Sequence, residues 1–151
     1  MEASSQGDLE SAKGCFAKAH KLRQSRPGLT PQEKSDELLD LALIAIAEND
    51  FAAAMSSLQD ADKLDGANPA VINNLAVCHL YLGKLRDGLA FLEAKITANP
   101  ALLLHETPIL NLCTLYELES SYAGQKKQAI LDLVGQYKGD GMNASCLKLQ
   151  M

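Results

Sequence analysis

Cys78 and His79 are neighbours in the chain and are both of metal-ligand type. Their spacing argues against a shared metal, because consecutive helical residues point about 100° apart. A packed histidine near a helix crossing is the expected role of His79. Cys15, Cys78, Cys113 and Cys146 contain no C-x-x-C pair, so no zinc knuckle or redox motif is built, and free thiols are expected. His20 and His105 have no cysteine or carboxylate at ligand spacing. Glu117, Glu119 and Asp132 make no recognisable acid–base pair, and no Ser-His-Asp order or Gly-rich phosphate loop can be assembled. These acids are expected on a solvated helix face. The expectation is a non-enzyme with no catalytic residue, no metal and no cofactor.

Composition narrows the partners. The chain has 151 residues, 47% of them apolar, enough to bury a core, with 22% charged and a net charge of −5. No long-range positive field draws such a surface to phosphates or anionic lipid, so nucleic acid is not an expected partner. The basic groups Lys126-Lys127 and Lys18, Lys21, Arg23 and Arg26 are short and are expected to complement helix C-termini or aid solubility. The longest apolar run, Leu41 to Ala47, falls far short of the roughly 20 residues that span a bilayer, so no integral membrane segment is expected. The start, Met1 to Asp8, lacks the features of a secretory or mitochondrial leader. A cytoplasmic protein is expected, in which the Asn143-Ala144-Ser145 sequon carries no weight.

The elements that must carry any function repeat. Asn49 and Gly83, Phe51 and Leu85, Ala54 and Gly88, Leu58 and Leu92 each lie 34 residues apart, as do Leu41 and Leu75 upstream. Each copy reads as two helices, with apolar residues at spacings of three and four and one short polar turn between. Gly7, Asn49 and Gly83 are expected at that turn, where a residue must tolerate positive φ. Ala12, Ala54 and Gly88 are small where the two helices of a copy cross, since bulk there would push the axes beyond about 8–10 Å. Phe16 and Ala19 in the first copy, Leu58 and Ala61 in the second, and Leu92 in the third continue the same stripe. Pro100 is expected to stop the last of these helices.

Eight extra residues separate the first two copies. Thr30-Pro31-Gln32-Glu33 reads as a capping box with proline at the first helical position, so the next helix is expected to run long, from Pro31 to about Glu48. Thr107-Pro108 is a less complete start signal. The expected organisation is a truncated repeat over 1–26, mainly its second helix, a repeat with a lengthened first helix over 27–68 and a regular repeat over 69–102. A divergent helix pair over 103–138 and a tail over 139–151 follow. The fold class is all-α.

A 34-residue helix pair with small residues at the crossing and Gly at the turn resembles the tetratricopeptide repeat, closely over Gln6 to Ala19 and specifically over roughly 6–102. Lys95, in place of the usual small residue, and the spacing after Asn99 depart from it. That resemblance implies a right-handed superhelical stack of antiparallel helix pairs, an α-solenoid. A narrower set, Ala76 to Asp87, Leu92-Glu93-Ala94, Leu104-His105-Glu106, Asn111-Leu112, Tyr116 to Ser121, Gln125 to Ala129 and Cys146 to Leu149, resembles the C-terminal repeat region of a trafficking protein particle complex subunit family. It implies a subunit of a multisubunit vesicle-tethering complex in transport between endoplasmic reticulum and Golgi. The partners implied are other subunits of that complex, through which the chain would associate with those membranes.

In the tetratricopeptide family the first helix of each pair lines a concave groove. Aligned on the period, the groove positions are Asp36, Leu39, Leu43 and Ile46 in one unit and Ala70, Asn73, Val77, Leu80 and Tyr81 in the next. An amphipathic helix or extended segment could bury against such an apolar face at about 25 cal/mol per Å². Equally, a helix of the same chain could cover it. The lysine and asparagine clamp of chaperone-binding repeats is absent, because Leu39 and Leu43 stand at its positions and only Asn74 fits. Two functions from different classes follow: a tethering-complex assembly module, or a soluble adaptor for a short peptide motif of the co-chaperone or cargo-receptor type. The chain opens within a repeat, so self-association through the truncated N-terminal face is also expected.

Overall fold

A computed structural model describes residues 2–104, 106–119 and 123–137. Among them the regular structure is entirely helical: α1 (Glu2–Gln24), α2 (Pro31–Ala47), α3 (Phe51–Leu64), α4 (Pro69–Tyr81), α5 (Leu85–Ala98), α6 (Pro100–Leu103), α7 (Glu106–Glu119) and α8 (Ala123–Tyr137). The chain divides into two compact units, 1–71 and 72–151. The tail over 139–151, with Cys146 and the sequon, lies outside the described residues, as does His105.

In the first unit, α2 begins as its sequence directs. Thr30 accepts a hydrogen bond from the Glu33 backbone N–H at 3.2 Å, and the Glu33 carboxylate accepts from the Thr30 N–H at 2.9 Å. These bonds hold the Glu33 carboxyl below the usual carboxylate range. Two donors that a helix N-terminus leaves orphaned are thereby satisfied. At its far end α2 closes in a Schellman turn: Asn49 has φ 61°, its N–H donates to the Ile46 carbonyl, and the Asp50 N–H donates to the Ala45 carbonyl at 2.8 Å. Asp50 then caps α3 by accepting from the Ala53 N–H at 3.0 Å. The chain thus reverses in a few residues, and α3 packs along α2. Ala42, Ala54, Met55, Leu58 and Ala61 are buried in this unit, and buried Ser35 donates to the Ala61 carbonyl.

The same turn recurs between α4 and α5. Gly83 has φ 72°, its N–H donates to the Leu80 carbonyl, and the Lys84 N–H donates to the His79 carbonyl at 2.8 Å. Positive φ is needed at both positions, which explains why Asn and Gly exchange there and a branched residue does not. Lys84 offers no side-chain cap, so α5 starts without the bond that Asp50 supplies to α3.

The second unit is built on one cluster that includes Ile72, Ala76, Leu89, Leu92, Ile96, Leu103, Leu104, Ile109, Leu112, Leu115, Ile130 and Val134. Pro100 both follows α5 and opens the short α6 at its first position. Leu103 and Leu104 are thereby placed in the core, each 1% exposed. This helix accounts for the irregular spacing after Asn99.

Gly7 departs from expectation. It sits inside α1, with no positive φ and nothing near the place a Cβ would occupy. A turn residue is required only where the chain reverses onto a partner helix; without a reversal the flanking Ser, Gln, Asp and Leu propagate a helix through glycine at a cost of about 1 kcal/mol.

Candidate protein-docking surfaces

No three His, Cys, Asp or Glu side chains cluster to hold a metal among the described residues. Cys15 is an exposed free thiol; Cys78 and Cys113 are buried, and burial pushes Cys78 up to about 11. His79 packs at the helix crossing, its ring 6.0 Å from that of Phe91. No described helix is long and apolar enough to cross a membrane. What these residues present to a partner is helix surface.

In the first unit, α1 lies along α2 through two ion pairs, Lys13 with Glu48 at 2.6 Å and Arg23 with Asp40 at 2.9 Å, and a hydrogen bond between His20 and Glu37 at 3.1 Å. Asp40 raises the Arg23 guanidinium further above its ordinary range, and Glu48 does the same for Lys13. Arg23 therefore joins two helices instead of supplying a free basic patch. Between these pairs opens a cleft of about 540 Å³ whose apolar lining comes from Phe16, Ala17, Leu38, Leu41, Ile44 and Leu64. Leu41 is 57% exposed, whereas Leu75, 34 residues on, is 2% exposed. The residue type is that of a buried position, but in this unit the position is open.

The expected groove residues divide between the units. Leu39 and Ile46 are half-buried on α2, beside exposed Leu43 and half-buried Asp36. In the second unit Asn73, Val77 and Leu80 are half-buried on α4, and Tyr81 is 65% exposed. Much of the α4 set is engaged by α7. Asn111 donates to the Asn73 side-chain oxygen at 2.6 Å, and Val77 and Leu80 line a cleft with Asn111, Thr114 and Leu115 of only about 30 Å³, the scale of single water molecules. Leu80 also packs on the core. Tyr81 on α4 and Leu110 and Leu118 on α7 are exposed large side chains of this unit.

Among the structural positions, Ala54, Leu58, Ala61 and Leu92 are fully buried. Gly88 is buried too, with room for no Cβ: the nearest atom would be the His79 Cβ at 2.8 Å. Ala12, Phe16 and Ala19 of α1 are half-buried only.

One expectation about charge is corrected. Glu117, Glu119, Lys126 and Lys127 do not simply dress a solvated face. Lys127 is 5% exposed and pairs with Glu117; Lys126 pairs with Glu119 at 3.1 Å and lies 5.0 Å over the Tyr116 ring. The Tyr116 hydroxyl donates to Glu93 at 2.6 Å, and burial followed by that carboxylate raises its pKa well above the ordinary phenol value. These contacts tie α5, α7 and α8 together. A signal was present in the sequence: two lysines follow two glutamates in the next helix of a pair. Only packing decides that Lys127 faces inward.

Against known proteins, residues 45–101 match the tetratricopeptide repeat family, a span that contains the α2–α3 and α4–α5 turns. The chain is 42% identical over 143 residues to trafficking protein particle complex subunit 12 of Mus musculus and 43% identical to that of Homo sapiens, over 95% of its own length in both cases. It spans about a fifth of those relatives, 18% and 19%. Residues 45–101 are thus similar to the tetratricopeptide repeat, and the chain is similar, over 95% of its length, to a segment of trafficking protein particle complex subunit 12.

Proposed function

We propose that the chain is a non-catalytic protein-binding module of a multisubunit vesicle-tethering complex acting between endoplasmic reticulum and Golgi. It would be cytoplasmic and reach those membranes through its partner subunits. The observation that carries this reading is the 42–43% identity over 95% of the chain to a subunit of the trafficking protein particle complex. The geometry agrees in kind. Apolar side chains such as Leu43, Tyr81 and Leu118 stand exposed on helices whose cores are otherwise filled, and exposed apolar surface on a folded scaffold favours protein association. Recognition of a short peptide in the α4–α7 cleft has less support, since that cleft is the size of a water.

Co-purification tests the proposal. The tagged chain is expressed in cultured cells and compared with Leu43→Glu and Tyr81→Glu, both at exposed positions where folding should survive. Recovery of a stable set of trafficking protein particle subunits, lost in the variants while helicity is kept, is the expected result. Recovery of chaperones or assorted cargo with none of those subunits would overturn it.

A further inference from the structure

Thr30 and Thr107 are the hydroxyl-bearing residues of this chain that precede a proline, and the fold treats them oppositely. Proline disfavours helical backbone in the residue before it. Thr30 follows that preference, with φ −67° and ψ 159°, the extended backbone of a polyproline-type segment. Thr107 goes against it: it lies within α7, and Pro108 behind it is buried. Around Thr30 the chain from Ser25 to Gln32 is exposed apart from half-buried Leu29, with Pro31 exposed as well, and α1 has ended at Gln24. An enzyme that modifies a threonine before proline must lay the segment across its own cleft and close on the proline ring. The Thr30 segment offers both features; a helical threonine with its proline in the core offers neither.

We propose that Thr30 is a phosphorylation site for a proline-directed protein kinase, and that Thr107 is not. In the transfer the Thr30 Oγ1 bonds to the γ-phosphorus of ATP as that phosphorus parts from ADP, and the hydroxyl proton passes to the kinase. The local consequence is an exchange of helix caps. In the unmodified chain the Thr30 hydroxyl donates to the Glu33 carboxylate at 3.1 Å, and the Arg26 guanidinium, on a side chain 75% exposed, lies 3.8 Å from that same carboxylate. An esterified Oγ1 has no proton to donate. The phosphate is held instead at the first turn of α2, where negative charge is favoured, and Arg26 passes from the carboxylate to the phosphate. Glu33, a cap before modification, then repels the dianion beside it.

The test is incubation of the 151-residue chain with ATP and purified kinases of the mitogen-activated and cyclin-dependent classes, read by mass spectrometry. One phosphate on Thr30 and none on Thr107 is expected. Thr30→Val should abolish it, whereas Thr30→Ser, which keeps the cap, should still be modified. Synthetic peptides spanning residues 24–36 and 101–113 should both be phosphorylated, because neither threonine is then held by the fold. No incorporation into the folded chain, modification of Thr107 as readily as Thr30, or a 101–113 peptide that is never modified would each overturn the inference. Thermal melts test the exchange of caps: Glu33→Ala should lower the melting temperature of the unmodified chain and not that of the phosphorylated one. An equal fall in both forms would contradict it.

Discussion

Gly88 and His79 share a space that holds only one side chain: a Cβ on residue 88 would stand 2.8 Å from the His79 Cβ. Thirty-four residues earlier the corresponding positions are Ala54 and Ala45. Bulk on the first helix is thus matched by its absence on the second. Gly88→Ala is expected to destabilise the wild type despite alanine's better helix propensity, and Gly88→Val to cost about 1–3 kcal/mol through overpacking. In a His79→Gly background, which removes the opposing Cβ, the sign should invert, with Gly88→Ala stabilising by about 0.5–1 kcal/mol. Urea denaturation of the four chains measures the cycle; equal effects of Gly88→Ala in both backgrounds would contradict it.

His79 also sets a pH dependence. Its Nδ1 is buried without a hydrogen-bond partner among the described residues, and desolvation lowers its pKa, with Asp87 opposing and Lys84 lowering it further. The unfolded chain therefore binds the proton at a higher pH than the folded one. Stability should fall as the solution is acidified through the unfolded value near pH 6.5. The loss continues until the pH passes below the depressed folded value. His79→Gln keeps a comparable volume and removes the titration, so its denaturation midpoint should change less between neutral and mildly acidic pH.

The Asn73–Asn111 hydrogen bond joins α4 to α7. Asn111→Ala should cost about 0.5–1.5 kcal/mol, with little further loss when Asn73→Ala is added, because the two side chains serve one bond. Chemical denaturation of both single variants and the double variant checks this. Additive losses would show that each asparagine has other duties.

Lys127 is buried while its partner Glu117 is 40% exposed. Removing the acid leaves a buried ammonium with less compensation, whereas replacing the lysine by an apolar side chain leaves a carboxylate that can turn to water. Glu117→Ala should therefore destabilise more than Lys127→Met. Thermal melts of the two variants at low and moderate salt give the order directly.

Much of this fold was legible because its signals are local. Thr30 and Glu33 form the expected box, and Asn49 and Gly83 occupy positive φ at identical turns. Ala54 and Gly88 are small because a helix crosses over them. What escaped depends on the neighbourhood. Gly7 carries the same residue type as Gly83, yet only the reversal of the chain makes a glycine a turn. Lys127 and Lys126 are alike in sequence, and packing alone buries the first. Of the candidate groove residues, Tyr81 is exposed, while Val77 and Leu80 are largely taken up by α7, which packs beside α4.

The central claim is that this chain can serve as the protein-binding segment of a tethering-complex subunit. A chimera tests it most directly: the matching segment of human trafficking protein particle complex subunit 12 is replaced by this chain, and assembly is followed by size-exclusion chromatography of cell extracts, with deletion of the segment as the control. The account predicts that the deletion releases the subunit from the complex and that the chimera co-elutes with it. A chimera that folds but elutes apart from the complex, as the deletion does, would contradict it.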